Sequence, residues 1–174
     1  VKIDRNVRIK NDYLRAVLHS DQQFSADELL ANLLSIAAEL KPYLSNVSKE
    51  VADALKTDSF IVFEGAQGCL LDVNHGTYPY VTSSNPLAGF ACVSAGFGPT
   101  EVDSVLGICK AYSTRVGSGP FPTEEPGPVG DRLREIGREF GTVTGRPRRC
   151  GWFDVMAVKR AIRLNGIDTL IVTK

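Results

Sequence analysis

The segment from Glu64 to Thr100 constrains this chain more than any other part of it. It is rich in Gly, Ser, Thr, Asn and Pro, has little hydrophobic period, and follows an apolar run, Phe60–Phe63, that reads as a strand at about 59–63. An irregular stretch of that length inside a compact domain is more often functional than filler. Its first part, Phe63 to Pro86, offers glycines at 65, 68 and 76, an amide at Gln67 and hydroxyls at Thr82, Ser83 and Ser84. Set at the end of a strand, these groups suit a polar, planar, phosphorylated ligand.

The remaining chain alternates helix and strand signals. Ser25 followed by Glu28 fits a capping box, and Leu29, Leu30, Leu33, Leu34 and Ala37 recur at helical spacing, so a helix is expected over about 26–41, ending before Pro42. Val47, Val51 and Leu55 predict a second over about 46–56. Val102, Val105 and Leu106 suggest a short helix, and Ile108 to Val116 a strand. Leu133 and Ile136 mark a helix at about 131–139. A further helix is expected at about 153–164, and a last strand at Thr169–Thr173. Residues 1–24 mix charges without a clear period, 117–130 form a second irregular segment, and Gly141–Arg149 is a basic loop. This order predicts an α/β fold: a largely parallel central sheet, flanking helices and long irregular ligand-binding loops. Residues 1–174 read as a single partial domain, mainly helical over 1–58 and α/β with the substrate loops over 59–174.

Twenty basic residues balance twenty acidic ones. That balance argues against a nucleic-acid or membrane partner. No run of about 18 apolar residues is present. The four cysteines, at 69, 92, 109 and 150, contain no Cys-x-x-Cys pair. They are too scattered for a disulfide framework or a zinc site, so a reducing, cytoplasmic setting is expected, with no metal held by these residues. The first residues are not a signal peptide. With no initiator methionine and a last residue, Lys174, directly after a strand-like run, both ends read as cut.

Two constellations carry chemistry. The loop from Gly141 to Arg149 sets Arg146, Arg148 and Arg149 among Thr142, Thr144 and Gly145. Arginine grips carboxylate or phosphate with a planar fork that lysine lacks, so this is an anion site, a solvated basic turn or an RNA contact. Gln67 either ties down its own loop or points its amide at a ligand. His75 lies in Asn-His-Gly, a turn composition, and is read as stabilising that turn rather than as an acid or base; His19 has no partner signal.

Taken together, the Phe63–Pro86 segment, Ser113-Thr114-Arg115-Val116-Gly117 and the loop running on through Cys150-Gly151-Trp152-Phe153-Asp154 resemble signatures of the adenylosuccinate synthetases, densely from Phe63 to Lys174 and thinly before it. Members of that family join IMP to L-aspartate at the expense of GTP, with Mg²⁺, in AMP biosynthesis. The resemblance implies that Gln67 faces the purine of IMP, that Thr82 bonds its 5′-phosphate, and that Val116 and Gly117 flank its ribose. It makes Thr142, Val143, Thr144, Gly145, Arg146, Pro147 and Arg148 the aspartate loop. Arg146 would bridge aspartate and the IMP ribose, and Arg148 would reach the nucleotide triphosphate. The family pattern has a hydroxyl where this chain has Val143, which removes one hydrogen bond, worth about 0.5–1.5 kcal/mol.

Asp4-Arg5-x-x-Arg8 is similar to a family motif whose arginine crosses a homodimer interface to the IMP phosphate; otherwise Arg8 is a surface arginine. Lys174 matches the lysine of a guanine-recognising Thr-Lys-x-Asp motif, hence GTP. The family's phosphate loop, Gly-Asp-Glu-Gly-Lys-Gly-Lys, does not occur in these residues. Its catalytic aspartate, which also binds Mg²⁺, and its catalytic histidine are therefore not among them, and Gln67 is left in a supporting role. The expectation is a piece of such a ligase, inactive alone. The alternatives are another α/β nucleotide-dependent ligase or kinase, or a short non-catalytic module that binds IMP or dimerises.

Overall fold

Ile3, Val7, Asn11 and Leu14 lie on the least exposed side of helix α1 (Lys2–Ala16), spaced four, four and three apart. The computed structural model describes residues 1–57, 59–142 and 145–174. It divides into two units, Val1–Asn46 and Val47–Lys174. In the first, α1 packs against α2 (Ala26–Leu40). Asn11 joins them by bonding both the amide and the carbonyl of Phe24, at 2.9 Å each. That polar residue in an otherwise apolar stripe is why residues 1–24 show no period in the sequence. The expected capping box is half realised: Ser25 Oγ accepts the Glu28 amide at 3.3 Å and starts α2. Leu29, Leu30, Leu33 and Leu34 remain exposed.

In the second unit, β1 (Leu106–Lys110) and β4 (Thr169–Thr173) form a parallel ladder, from Leu106 beside Thr169 to Lys110 beside Thr173. The chain between them supplies β2 (Ser113–Arg115), α5 (Pro128–Gly137), β3 (Arg149–Gly151) and α6 (Val155–Asn165). β2 and β3 form a small antiparallel ladder of their own. Two shorter helices, α3 (Val47–Ala54) and α4 (Phe90–Ala95), pack on one another, with Ser48 Oγ donating to the Gly96 carbonyl at 2.7 Å. The α/β class and the parallel sheet are as the sequence implies.

Three local expectations are corrected. Residues 59–63 form no strand: Phe60 and Val62 are exposed and the segment joins no ladder among the described residues. No helix forms at Val102–Leu106, because Asp168 captures that backbone. Its Oδ2 accepts the Val105 amide at 2.8 Å, and its own amide donates to the Val105 carbonyl at 3.0 Å. The expected strand from Ile108 to Val116 breaks at Ala111–Tyr112, where the chain leaves β1 for β2.

α5 packs on β3 at close range. A methyl group on Gly151 would overlap the Thr123 carbonyl, and one on Gly130 the Glu125 carbonyl. Both contacts are with backbone, which cannot swing aside. Gly151→Ala is therefore expected to destabilise the protein by about 1–3 kcal/mol, the usual cost of overpacking. Urea unfolding followed by the fluorescence of Trp152, the single tryptophan, measures it; an unchanged midpoint would contradict the packing.

Candidate functional site

Among the described residues the largest fully buried side chains include two carboxylates, Asp72 and Glu139. A buried carboxylate is tolerated only where donors replace its water, and each of these organises one of the two irregular regions.

Asp72 shapes the loop after Phe63. Its Oδ1 accepts the amides of Asn74 and His75 at 2.9 Å each, and its Oδ2 accepts the Asn85 side-chain amide at 3.1 Å. This is the Asx-turn chemistry of an aspartate followed by Asn-His-Gly. Burial raises the Asp72 carboxyl, but the His75 and Asn74 amides and the Asn85 amide outweigh it and hold the group below its ordinary value. Arg160 of α6 donates to the His75 carbonyl at 2.7 Å and pins the turn from outside. The His75 side chain is exposed, and its backbone is what the turn uses.

The turn brings Gln67 and Thr82 together. Ser84 Oγ donates to Gln67 Oε1 at 3.3 Å and lies 2.6 Å from Thr82 Oγ1. Gln67 has a left-handed backbone, with φ +70°, a conformation that costs a non-glycine residue about 1–2 kcal/mol. Strain of this kind concentrates at ligand sites. With its oxygen taken by Ser84, the amide presents its NH₂ end for donation.

Val116 and Gly117 are tied to the same loop through their neighbour. Arg115 donates to Thr77 Oγ1 at 2.8 Å and the Tyr80 carbonyl at 3.2 Å, and also to the carbonyls of Ser118 and Pro120. Arg149 closes the arrangement from β3. It grips Glu124 with two nitrogens and donates to the Gly117 and Gly119 carbonyls at 3.2 and 2.9 Å.

Glu139 anchors the arginine loop. It follows α5, which ends at Arg138 in a left-handed conformation. Its carbonyl accepts the Arg148 amide at 2.9 Å, Phe140 bridges Pro147, and Gly141 donates to the Arg146 carbonyl at 2.8 Å. Its side chain accepts from Lys110 Nζ and the Tyr112 hydroxyl at 2.5 Å each and from Arg148 Nη1 at 2.7 Å. Lys174 Nζ lies 3.7 Å away and donates to the Gly137 carbonyl. Burial raises the Glu139 carboxyl, yet the donors from Lys110, Tyr112 and Arg148 bring it down to about 2. Burial and the adjacent carboxylate together push the Tyr112 phenol well above its ordinary value.

The three arginines of the loop thus do not form one patch. Arg148 is paired with Glu139, Arg149 is spent on Glu124 and two carbonyls, and Arg146 is exposed. Thr142 and Pro147 are exposed beside it, and Gly145 has φ +63°. Val143 and Thr144 lie outside the described residues. Arg8 lies on α1 of the first unit, exposed. Among the described residues no three His, Cys, Asp or Glu are grouped to hold a metal ion, and no helix is long and apolar enough to cross a membrane.

Sequence reasoning overlooked Asp72, Glu139 and Arg115, and it counted Arg149 with the anion loop although Arg149 is committed to Glu124 and the Gly117 and Gly119 carbonyls. Asp72 had a signal in the Asp-x-Asn-His-Gly turn. Glu139 had a weaker one, as a lone carboxylate at the base of a basic loop.

The α/β scaffold thus carries a left-handed glutamine, clustered hydroxyls and an arginine loop mounted on a buried carboxylate. The adenylosuccinate synthetase family profile matches residues 1–174. The chain is 51% identical over 173 residues to the adenylosuccinate synthetase of Carboxydothermus hydrogenoformans and 54% identical over 173 residues to that of Bordetella avium, covering 99% of this chain and 40% of each relative. A fully ligated adenylosuccinate synthetase from Plasmodium falciparum superposes with a TM-score of 0.86 at 34% identity, over 99% of this chain and 40% of that one. A succinoaminodeoxyadenylate synthetase of cyanophage S-2L, bound to dGMP and dATP, gives a TM-score of 0.60 at 28% identity over 72% of this chain and 38% of its own. The chain belongs to the adenylosuccinate synthetase family, and it spans about 40% of the length of these curated relatives.

The Glu139 cluster makes a pH prediction. A glutamate in the open chain titrates near 4.5, and Glu139 in the folded chain near 2. Between those values the unfolded chain binds the extra proton, so stability falls as pH drops from 4.5 toward 2. The contribution, fully present above 4.5, is roughly 3 kcal/mol. Glu139→Gln should flatten that part of the stability profile and cost about 3–5 kcal/mol at neutral pH, because Lys110 and Arg148 lose their partner. Urea unfolding across this pH range checks it; an equally steep profile in the variant would contradict the assignment.

Proposed function

We propose that this segment forms the IMP- and aspartate-receiving part of a cytoplasmic adenylosuccinate synthetase that works as a homodimer in AMP biosynthesis. The observation that carries the reading is the mounting of Gln67 and Thr82 on one hydroxyl, Ser84, together with a separately anchored arginine loop in the same unit. One such group suits a purine with its phosphate, and the other a dicarboxylate. The exposed Phe60, Val62 and Ile108 are surfaces that further chain would cover in a protein of its relatives' length.

The reaction has two steps. O6 of IMP attacks the γ-phosphorus of GTP, the bond to the β,γ-bridging oxygen breaks, and GDP leaves. N1 gives up its proton to a base outside these residues, the family's catalytic aspartate, as negative charge builds on the ring. The aspartate amine then adds at C6 and inorganic phosphate departs, giving adenylosuccinate. The Gln67 NH₂ would donate to the charged ring, where a preorganised donor favours the transition state. Thr82 would hold the 5′-phosphate, and Val116 and Gly117 would wall the ribose. Thr142, Val143, Thr144, Gly145, Arg146 and Pro147 would form the loop that receives the aspartate carboxylates. Arg148 and Lys174 would face GTP, and Arg8 would reach the IMP phosphate of the partner subunit.

Mg²⁺ in the whole enzyme would polarise the transferring phosphoryl group. The residues described do not fit that ion. Both buried carboxylates already have their oxygens on N–H, O–H or cationic donors, whereas Mg²⁺ needs free carboxylate oxygens.

The test is adenylosuccinate formation from IMP, GTP, aspartate and Mg²⁺ by the full natural chain carrying this segment. Activity is expected there and none from residues 1–174 alone. Arg146→Ala should cost roughly 1.5–3 kcal/mol of transition-state binding, the worth of charged hydrogen bonds. No product from the full chain would refute the reading, and product from the 174 residues would refute its incompleteness.

A further inference from the structure

We propose that Glu139 is a positioning residue that sets the arginine loop and the end of β4 from one buried charge, so that the subsites served by Arg148 and Lys174 are prepared together while the Gln67–Thr82 subsite is not. The inference rests on the functional reading above, in which Arg148 and Lys174 face ligand.

Three observations carry it. Glu139 holds the loop at two levels, its carbonyl taking the Arg148 amide and its carboxylate the Arg148 guanidinium. That guanidinium has a single acceptor: Nη1 is on Glu139, Nε is buried with no partner, and Nη2 makes no bond among the described residues. Its direction therefore depends on one bond, which leaves Nη2 for an anion. Finally, Lys110 at the end of β1 and Lys174 just beyond β4 converge on the same carboxylate, at 2.5 and 3.7 Å. β1 and β4 are adjacent and parallel, so their ends are fixed relative to each other and to the loop.

A buried charge with several cationic partners is a stiff mount, because moving any partner exposes an uncompensated charge. An arginine already directed by such a mount loses less freedom when a ligand arrives. No bond links Glu139 to Gln67, Thr82 or Ser84; that group stands on Asp72.

The experiment uses the full natural chain. Wild type is assayed first, and absence of adenylosuccinate formation there overturns the functional reading and this inference with it. With an active wild type, Glu139→Gln should raise KM for GTP and for aspartate by about tenfold or more, a loss of one directed charged contact. The Kd of IMP, measured by titration calorimetry, should change less than about twofold. Glu139→Asp keeps the charge and should recover part of the loss, and it carries the test if the glutamine variant does not fold. The decisive comparison is a double-mutant cycle with Arg148→Met. If Glu139 works through Arg148 and Lys174, the effect of Glu139→Gln on KM for aspartate shrinks to near nothing in the Arg148→Met background, while its effect on KM for GTP, which Lys174 also serves, shrinks only in part. Fully additive effects, an equal weakening of IMP binding, or unchanged KM values in a folded variant would each overturn the proposal.

Discussion

A carboxylate buried under two lysines, an arginine and a tyrosine holds the second unit of this protein in register. Glu139 has no access to water, so its charge is sustainable only while Lys110, Tyr112 and Arg148 stay in place. Those partners come from β1, the bend after it and the end of the arginine loop. The parallel ladder, α5 and the loop cannot shift separately without uncovering that charge. Asp72 does the same on a smaller scale for the loop after Phe63, with neutral amides in place of cations. Apolar burial is sparse by comparison: Val7, Cys92 and Cys150 are the buried apolar side chains among the described residues.

Arg148, just before β3, and Arg149, its first residue, divide the structural work. Arg148 is committed to Glu139, and Arg149 to Glu124 and the carbonyls of Gly117 and Gly119. Arg115 on the neighbouring strand carries the connection on to Thr77 and Tyr80. The loop after Phe63 and the Val116–Gly117 segment are therefore held by arginines that themselves have no free fork to offer a ligand. Charge counting cannot separate these roles. Three arginines in four residues announce an anion site equally well whether one of them or all of them face solvent.

Much of the frame was legible in the sequence because its signals are local. Ser25 starts α2 where the capping box placed it, α6 runs within a residue or two of the expected 153–164, and β4 matches Thr169–Thr173 residue for residue. What could not be read depends on distant partners. α1 was hidden because Asn11, polar and bonded to Phe24, occupies a position of its buried stripe. Val102–Leu106 looked helical by spacing, yet Asp168, remote in sequence, captured its backbone. Phe60–Phe63 has strand-like residues but no strand beside it among those described, and propensity alone does not make a ladder. In the candidate site, Gln67, Thr82 and the arginine loop were found by their motifs. The carboxylates that mount them carried no motif of comparable length.

On the proposed reading, two separately mounted groups, on Asp72 and on Glu139, receive different ligands. Hydrogen–deuterium exchange of the full natural chain, alone and with IMP or aspartate added, tests it most directly. The account predicts that IMP protects amides around Gly65–Gly68, Thr82–Ser84 and Val116–Gly117, and that aspartate with IMP present adds protection over residues 141–149. Protection by IMP confined to other segments, or the same pattern from aspartate alone, would contradict it.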